Sequence, residues 1–458
     1  MQFVDDPCAY FGDDSGAAHA LSGAELDRMQ QEALAYRLEQ FLPRLPALAA
    51  LAEAQGLDAG ARIEDAPRLF QPHTIFKSFD PAWLAAGDFA QLTRWLQCFT
   101  TAELKPPPEG TRTIDAWLGW LEENCAFDVA HSTGTTGRMS LVGRARRDLH
   151  GRFARNRMGI RTWLADRNLS PEMNFHIVWP GAAGGRSAQQ KMAEGWRSVG
   201  ASSRDHFIAL FDDDLGADYE LYVVRARLAR ERAQLALPAP SAHVAEKLAE
   251  AERRQATYPQ HFARMIDRIV AELPGRRAFM MGSPHNLAML AEAGIERGIG
   301  GSFMPGSLQL SVGGLKGRQE PPDFAGTMRR FLGDGRALEG YGATEMNSGY
   351  LLCDAGRFHV PPWVILWVLD AAANWQPKPR AGVQEGRGAF LDLAFSSAWG
   401  GLVTADHLMV DYGPCRCGRT SPSFDRLIRR LNDDDGDYSW IPADPSAFGA
   451  AREVLRAG

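Results

Sequence analysis

Residues 131–140 read HSTGTTGRMS. Ser132, Thr133, Thr135 and Thr136 alternate with Gly134 and Gly137, and Arg138 follows. Glycine lets the backbone take positive φ and brings N–H groups close to an anion. The hydroxyls add donors without bulk, and the arginine adds a cation. This is phosphate-binding chemistry, although a polar surface loop would use the same residue types. No Gly-Lys-Ser/Thr ending follows, so it is not a Walker loop.

A second polar stretch, EGYGATEMNSGY, spans 339–350. Tyr341 offers a flat face for a base, Gly342 a tight turn, Thr344 a hydroxyl for a phosphate. Glu345 offers a carboxylate to Mg2+, which prefers few carboxylates together with nucleotide phosphates. A surface turn with a solvated glutamate is the plain alternative. In the third stretch, VTADHLMVDYG at 403–413, Asp406 follows a strand-like run and could accept both hydroxyls of a ribose, or simply close a turn.

Two short pairs of soft ligands come next. Cys353 and His359 are separated by five residues, Cys415 and Cys417 by one. Such pairs could close a tetrahedral structural Zn2+ site; reduced cysteines in a tight turn beside a polar histidine would read the same way. The remaining thiols, Cys8, Cys98 and Cys125, are scattered, and six cysteines in 458 residues do not make a disulfide framework.

These residues need a scaffold. Residues 23–56 are rich in Ala, Leu and Glu at helical spacing, and Pro43 and Pro46 divide them into two helices. Residues 80–99 read as a helix with Asp80 as N-cap and Pro81 at its first position. The first 100 residues are therefore mainly helical. From NFHIVWP (174–180) onward, short apolar runs alternate with helical patterns: HFIALFDDD, a charged helix over 239–273, RAFMMGSP, NLAMLAEAG, SLQLSVGG, PPDFAGTMRRFLG and RALEGYGATE. That alternation predicts a doubly wound α/β sheet, and ligands bind at the carboxyl ends of such strands. After residue 360, VPPWVILWVLD, GAFLDLAF and GLVTADHLMVDYG read as strands without helices between them, which predicts a small antiparallel or barrel-like β subdomain. The expected division is a helical region over 1–100, an α/β ATP-binding core over 101–350, a β subdomain over 351–430 and a short remnant over 431–458.

Bulk properties narrow the partners. A net charge of −6 and a pI near 6.0 argue against a general nucleic-acid binder. No stretch approaches the roughly 20 apolar residues of a membrane span, and the acidic N-terminus lacks a signal pattern. A cytoplasmic protein with no nucleic-acid or membrane partner is expected.

In this order and spacing the three polar stretches resemble the adenylate-forming superfamily of acyl-CoA synthetases, peptide-synthetase adenylation domains and luciferases. The resemblance covers roughly residues 70–430. Its Ser/Thr/Gly loop, Tyr-Gly-x-Thr-Glu segment and Thr-x-Asp segment build one ATP site. The resemblance implies that Ser132, Thr133, Gly134, Thr135, Thr136 and Gly137 hold the triphosphate, Tyr341 lies against adenine, Thr344 and Glu345 serve the α-phosphate and Mg2+, and Asp406 holds the ribose. The segment LSVGGLKGRQ (310–319), like CDAGRFHVPPWV after the Glu345 motif, resembles the acyl-protein synthetases of luminescence operons; Gly313 and Gly314 would then line the adenine pocket. PCRCGRTSPSF (414–424) resembles a segment of phenylacetate–CoA ligases, some of which carry Cys and His at similar places.

The family's C-terminal domain brings a catalytic lysine. Here 28 residues follow Arg430 and no lysine follows Lys378. Lys316, Arg138, Arg419 and Arg430 are the candidate replacements. The expected function is ATP-dependent activation of a small carboxylic acid as an acyl-adenylate with release of pyrophosphate, followed by transfer to a protein thiol, an amine or a small thiol, with an acyl-accepting partner protein as one acceptor. Two alternatives stay open: a non-catalytic nucleotide-binding scaffold of a multi-enzyme assembly, and adenylation of an unusual acid such as nitrite for N–N bond formation. The acyl pocket is expected among FIALF, FMMGSPHN and GSFMPGS, where His285 and Asn286 would orient a carboxylate or cap a helix.

Overall fold

A computed structural model describes residues 3–132, 139–201, 203, 205–232, 239–312, 319–370, 374–377, 379, 381–431 and 453–455, with backbone only at 224, 225 and 227–232. The chain forms two compact units. One comprises Met1–Val129, Ser140–Gly159 and Tyr341–Gly458, the other Ala130–Met139 and Ile160–Gly340.

The N-terminal helices follow their local signals. Ser22 caps the helix Gly23–Phe41 by accepting from Glu25 N, and one face of it (Leu26, Met29, Ala33, Leu34, Leu38, Phe41) is buried at the 3–4 residue spacing of an amphipathic helix. The chain breaks before Pro43, and Pro46 opens the next helix, Pro46–Ala54. Asp80 caps Pro81–Ala86 as expected, its side chain accepting from Ala82 N. No described helix is long and apolar enough to cross a membrane.

Strands β1 (Phe127–His131) and β2 (Leu141–Ala145) pair with each other and flank the Ser/Thr/Gly stretch. Gly143 is required in β2, because a Cβ there would meet the Phe127 ring at 2.3 Å.

The second unit carries a five-stranded sheet of β3 (His176–Gly185), β4 (Phe207–Leu215), β5 (Ala278–Gly282), β6 (Leu308–Ser311) and β7 (Arg336–Leu338), in the order β4-β3-β5-β6-β7. Every pairing is parallel. All five residues of β5 are buried, as a central strand covered on both faces requires. Val178, Ile208 and Met280 from the strands pack with Ile269, Leu287 and Phe331 from helices Ala242–Glu272, Pro284–Glu296 and Phe324–Leu332. Ser283, not Asn286, caps Pro284–Glu296: its hydroxyl accepts from Asn286 N at 3.2 Å. The Asn286 amide instead donates to Pro180 O at 3.3 Å.

The first unit carries the antiparallel sheet. Strands β8 (Arg357–His359), β9 (Val364–Leu369), β10 (Val383–Asp392), β11 (Gly401–Asp411) and β12 (Ser423–Asp425) run in the order β8-β12-β11-β10-β9. Arg429–Arg430 and the distant Gln71–Pro72 also pair with β11, giving seven strands. The β region is thus one sheet that recruits a segment from the helical N-terminal part. Helix Arg146–Ala165 begins in this unit, directly after β2.

Candidate functional site

Asp406 lies within β11, not in a turn after it, and is 7% exposed. Two groups hold its carboxylate. Tyr341 Oη donates to Oδ2 at 2.7 Å, and Arg430 Nη1 donates to Oδ1 at 2.9 Å, Arg430 being the register partner of Asp406 across the sheet. The Tyr341 ring stands against Tyr350, Phe358, Phe390 and Phe424, with centroids 5.2–6.2 Å away. Burial and the Asp406 carboxylate hold the Tyr341 phenol well above its ordinary range, so it remains a donor. Arg430 is thereby engaged with Asp406.

Glu345 sits among cations. Burial raises its carboxyl above the usual carboxylate range, while its own backbone N–H, Arg144, Arg430 and Lys77 pull the other way. Arg144, 3% exposed in β2, reaches under the segment: its Nη2 donates to Thr344 O and, at 2.7 Å, to Met346 O. From the helix, Arg155 Nη2 donates to Asn347 O at 3.0 Å. Three consecutive-region carbonyls are therefore fixed by two buried guanidiniums, and the segment that presents Thr344 and Glu345 is built on arginines rather than on regular secondary structure. Arg152 of the same helix also feels Glu345 and Asp392; burial, then Arg144 and Arg155, lowers it to about 9. Sequence reasoning missed Arg144, Arg152, Arg155 and Asn347. The sequence offers only the run of arginines at 144, 146, 147, 152, 155 and 157, which by itself reads as a solvated face.

Of the residues expected at the site, Tyr341, Gly342, Thr344, Glu345 and Asp406 are gathered in the first unit. Ser132 belongs to the second unit, following the buried His131, whose Nε2 lies 2.9 Å from Glu220 Oε2. Thr133, Gly134, Thr135, Thr136, Gly137 and Arg138, and likewise Gly313, Gly314 and Lys316, lie outside the described residues.

The four soft ligands come together. The donor atoms of Cys353, His359, Cys415 and Cys417 all lie within 4.8 Å of one another. Cys353 Sγ and Cys415 Sγ are 3.9 Å apart, Cys417 Sγ and His359 Nε2 3.2 Å. A tetrahedral Zn2+ with Zn–S bonds of about 2.3 Å sets sulfurs about 3.8 Å apart, so the donor set fits such an ion. Burial and Arg419 lower His359 to about 4, leaving a neutral imidazole that can ligate. Its Nδ1 faces Ser421 Oγ at 3.3 Å, an outer partner that fixes the ring. Ser421 in turn meets His19 Nδ1 at 2.8 Å, and His19 O accepts from Thr420 N at 3.0 Å. The N-terminal segment is thus fastened to the Cys/His cluster. Arg419, another candidate cation, is at this cluster.

No protein-family model and no curated protein match the sequence. Solved structures do match. An open conformation of 2-hydroxyisobutyryl-CoA ligase in complex with 2-HIB-AMP and CoA is 14% identical, with 91% of this chain and 72% of that chain covered and a TM-score of 0.51. The same ligase in its thioesterification state is 15% identical, with 91% and 70% covered and a TM-score of 0.51. The luciferase-like enzyme of the nonluminescent mealworm Zophobas morio is 13% identical over 67% of this chain and 58% of that one, at a TM-score of 0.35, too low to carry an argument. At these identities the likeness to the CoA ligase concerns the fold alone. It agrees with the α/β architecture, parallel and antiparallel sheets together, expected of an adenylate-forming ligase.

Proposed function

We propose that this chain, which shares its fold with a CoA ligase, uses ATP to activate a carboxylic acid as an acyl-adenylate. The observation that supports this is the grouping of Tyr341, Thr344, Glu345 and Asp406: residues up to 65 positions apart, in the order an AMP site needs, meet in one unit, with Asp406 pinned by Tyr341.

In this reading the acid's carboxylate oxygen attacks the α-phosphorus of ATP, the bond to the β-phosphate oxygen breaks, and pyrophosphate leaves. Asp406 accepts the ribose hydroxyls, and Tyr341 and Arg430 fix its oxygens for that task. Thr344 donates to the α-phosphate. Glu345 holds Mg2+, which when bound supplies positive charge to the phosphate oxygens. By the sequence resemblance, Ser132, Thr133, Gly134, Thr135, Thr136 and Gly137 would hold the triphosphate, Gly313 and Gly314 would line adenine, and Lys316 would be a supporting cation. Positioning and electrostatics carry most of the rate, because the phosphoryl centre needs little covalent help. A second nucleophile, a protein thiol, an amine or a small thiol, then takes the acyl group and AMP leaves. Cys353, His359, Cys415 and Cys417 would hold a structural Zn2+ that takes no part in the adenylation.

The test is ATP–pyrophosphate exchange over fatty, aryl, amino and dicarboxylic acids and inorganic oxyanions including nitrite, with wild type and Glu345→Ala. Exchange with at least one acid, lost with Glu345, is expected. ATP binding without exchange for any acid would make the chain a nucleotide-binding scaffold, and exchange that survives Glu345→Ala would remove Glu345 from the site.

A further inference from the structure

A buried lysine stands beside the entry to the Ser/Thr/Gly loop. Among the described lysines, Lys77, Lys105, Lys191 and Lys247, Lys191 alone is buried, at 7% exposed. Lysine is rarely buried, because its compact ammonium is strongly hydrated. One partner of Lys191 is Glu194, whose Oε2 lies 3.3 Å from Nζ. The Glu194 side chain is 54% exposed, so water competes for that end of the pair. A buried ammonium whose counter-charge opens to solvent is placed to exchange it for an anionic ligand.

The fold sets Lys191 where such a ligand is expected. Strand β3 lies inside the parallel sheet, and α/β sheets bind ligands at the carboxyl ends of their strands. At that end of β3, Ser187 opens helix Ala188–Gly200 through a capping box with Gln190. The turn before it is tight: Gly185 takes φ +143°, and a Cβ there would meet Gln190 Oε1 at 2.2 Å. Trp196 packs its ring against Phe279 at 5.4 Å and anchors the helix to the sheet. The strand that leads into the Ser/Thr/Gly loop is stitched to the same turn. His131 N–H donates to Arg186 O at 3.1 Å, and His131 and Ser187 form a parallel bridge. Lys191 lies one helical turn on, its N–H donating to Ser187 O at 3.0 Å. Helical side chains lean toward the N-terminal end, so the Lys191 stem covers the turn to which His131 is bonded. All these residues belong to the second unit.

We propose that Lys191 is a catalytic cation of this chain, whose ammonium meets the phosphates of ATP that leave as pyrophosphate. This rests on the adenylation reading above and adds a residue to it. As the acid's oxygen bonds to the α-phosphorus, the bond from phosphorus to the bridging oxygen breaks, and that oxygen keeps the electron pair. Lys191 balances the charge that builds on the departing pyrophosphate and transfers no proton. AMP lacks those phosphates and leaves Lys191 with Glu194.

The experiment uses the full chain and measures calorimetric Kd for ATP and for AMP with Mg2+ present, together with ATP–pyrophosphate exchange. Lys191→Met keeps the apolar stem and removes the charge. It should raise Kd for ATP about tenfold or more and leave Kd for AMP within about twofold. It should also lower kcat for exchange about thirtyfold or more. Lys247→Met, at a lysine paired with Glu250 on helix Ala242–Glu272, should match wild type in all three. Thermal melting accompanies each variant, and Lys191→Gln replaces Lys191→Met if the latter does not fold. ATP and AMP affinities that fall together, or an ATP affinity that survives loss of the charge, overturn this inference; exchange that continues then leaves adenylation standing. A wild type that binds ATP and exchanges with no acid removes the adenylation reading, and the ATP–AMP difference still decides whether Lys191 meets the phosphates. A wild type that binds no ATP removes both.

Discussion

Tyr341 Oη donates to Asp406 Oδ2 at 2.7 Å across 65 residues of sequence, joining the Tyr-Gly-x-Thr-Glu segment to the middle of β11. Arg430 holds the other oxygen at 2.9 Å, but its side chain is 60% exposed. The two bonds are therefore unequal. A hydrogen bond to a charged group contributes about 1.5–3 kcal/mol when it is buried, an exposed ion pair about 0–1 kcal/mol. Tyr341→Phe is expected to lower unfolding free energy by about 2 kcal/mol in urea titrations and to raise KM for ATP about tenfold, the factor that about 1.4 kcal/mol of lost binding gives. Arg430→Gln should change stability by less than about 1 kcal/mol. Equal effects of the two variants would contradict the ranking.

Arg144 is the support on which the Thr344–Glu345 segment rests. It lies in β2, reaches two carbonyls of that segment and is itself buried. Arg144→Met keeps much of the side chain's bulk but leaves both carbonyls without their donor. We expect kcat for pyrophosphate exchange to fall roughly 10–100-fold, in line with loss of about 1.4 kcal/mol per factor of ten. KM for ATP should change little, and amide hydrogen exchange should rise at 344–347. Wild-type protection of those amides in a folded Arg144→Met protein would show that the guanidinium does not position the segment.

The two ends of this relationship were unequally legible in the sequence. Tyr341, Glu345 and Asp406 stand out because turn-forming and polar residues interrupt apolar runs. The parallel sheet was readable from its short apolar strands, and the break between the first two long helices from Pro43 and Pro46. Arg144 and Arg155 were not readable, since a charge run ordinarily marks a solvated face; only the fold turns that run under the 344–347 carbonyls. Asp406 was placed after a strand rather than within one because a carboxylate is a poor strand former, and its burial there depends on Tyr341 and Arg430, partners far away in sequence. Of the two roles open to Asn286, capping falls to Ser283, three residues earlier, whose hydroxyl accepts from Asn286 N.

Glu345 ties stability to pH in a direction opposite to that of most carboxylates. Its folded-state carboxyl is raised by burial, so the folded chain binds its proton more tightly than the unfolded chain. Its stabilising contribution is complete below the unfolded value and is lost as pH rises through the folded one. Glu345→Gln mimics the neutral form. Without Mg2+ it should melt at the wild-type temperature near pH 4 and above it at pH 7–8, by about 2 °C for each kcal/mol relieved. Mg2+ with ATP should narrow that gap by stabilising the wild type alone. A variant less stable than wild type at pH 8 without Mg2+ would mean that Arg144 and its neighbours favour the carboxylate more than burial disfavours it.

The Cys/His cluster makes the most local prediction. Its four donor atoms are spaced for one tetrahedral ion, and its outer partner Ser421 also contacts His19. Purified protein should therefore carry one Zn2+ per chain, measurable by release on denaturation. Structural zinc contributes directly to folding, so removal should lower the melting temperature by several degrees, at about 2 °C per kcal/mol for a chain this size. Because Ser421 links the cluster to the N-terminal segment, metal removal should raise hydrogen exchange at 353–359 and 415–423 and also at 15–22, a region with no ligand of its own. Cys415→Ser should reproduce that pattern without chelator. A metal-free protein whose N-terminal exchange is insensitive to added Zn2+ would leave these residues as reduced thiols beside a buried histidine.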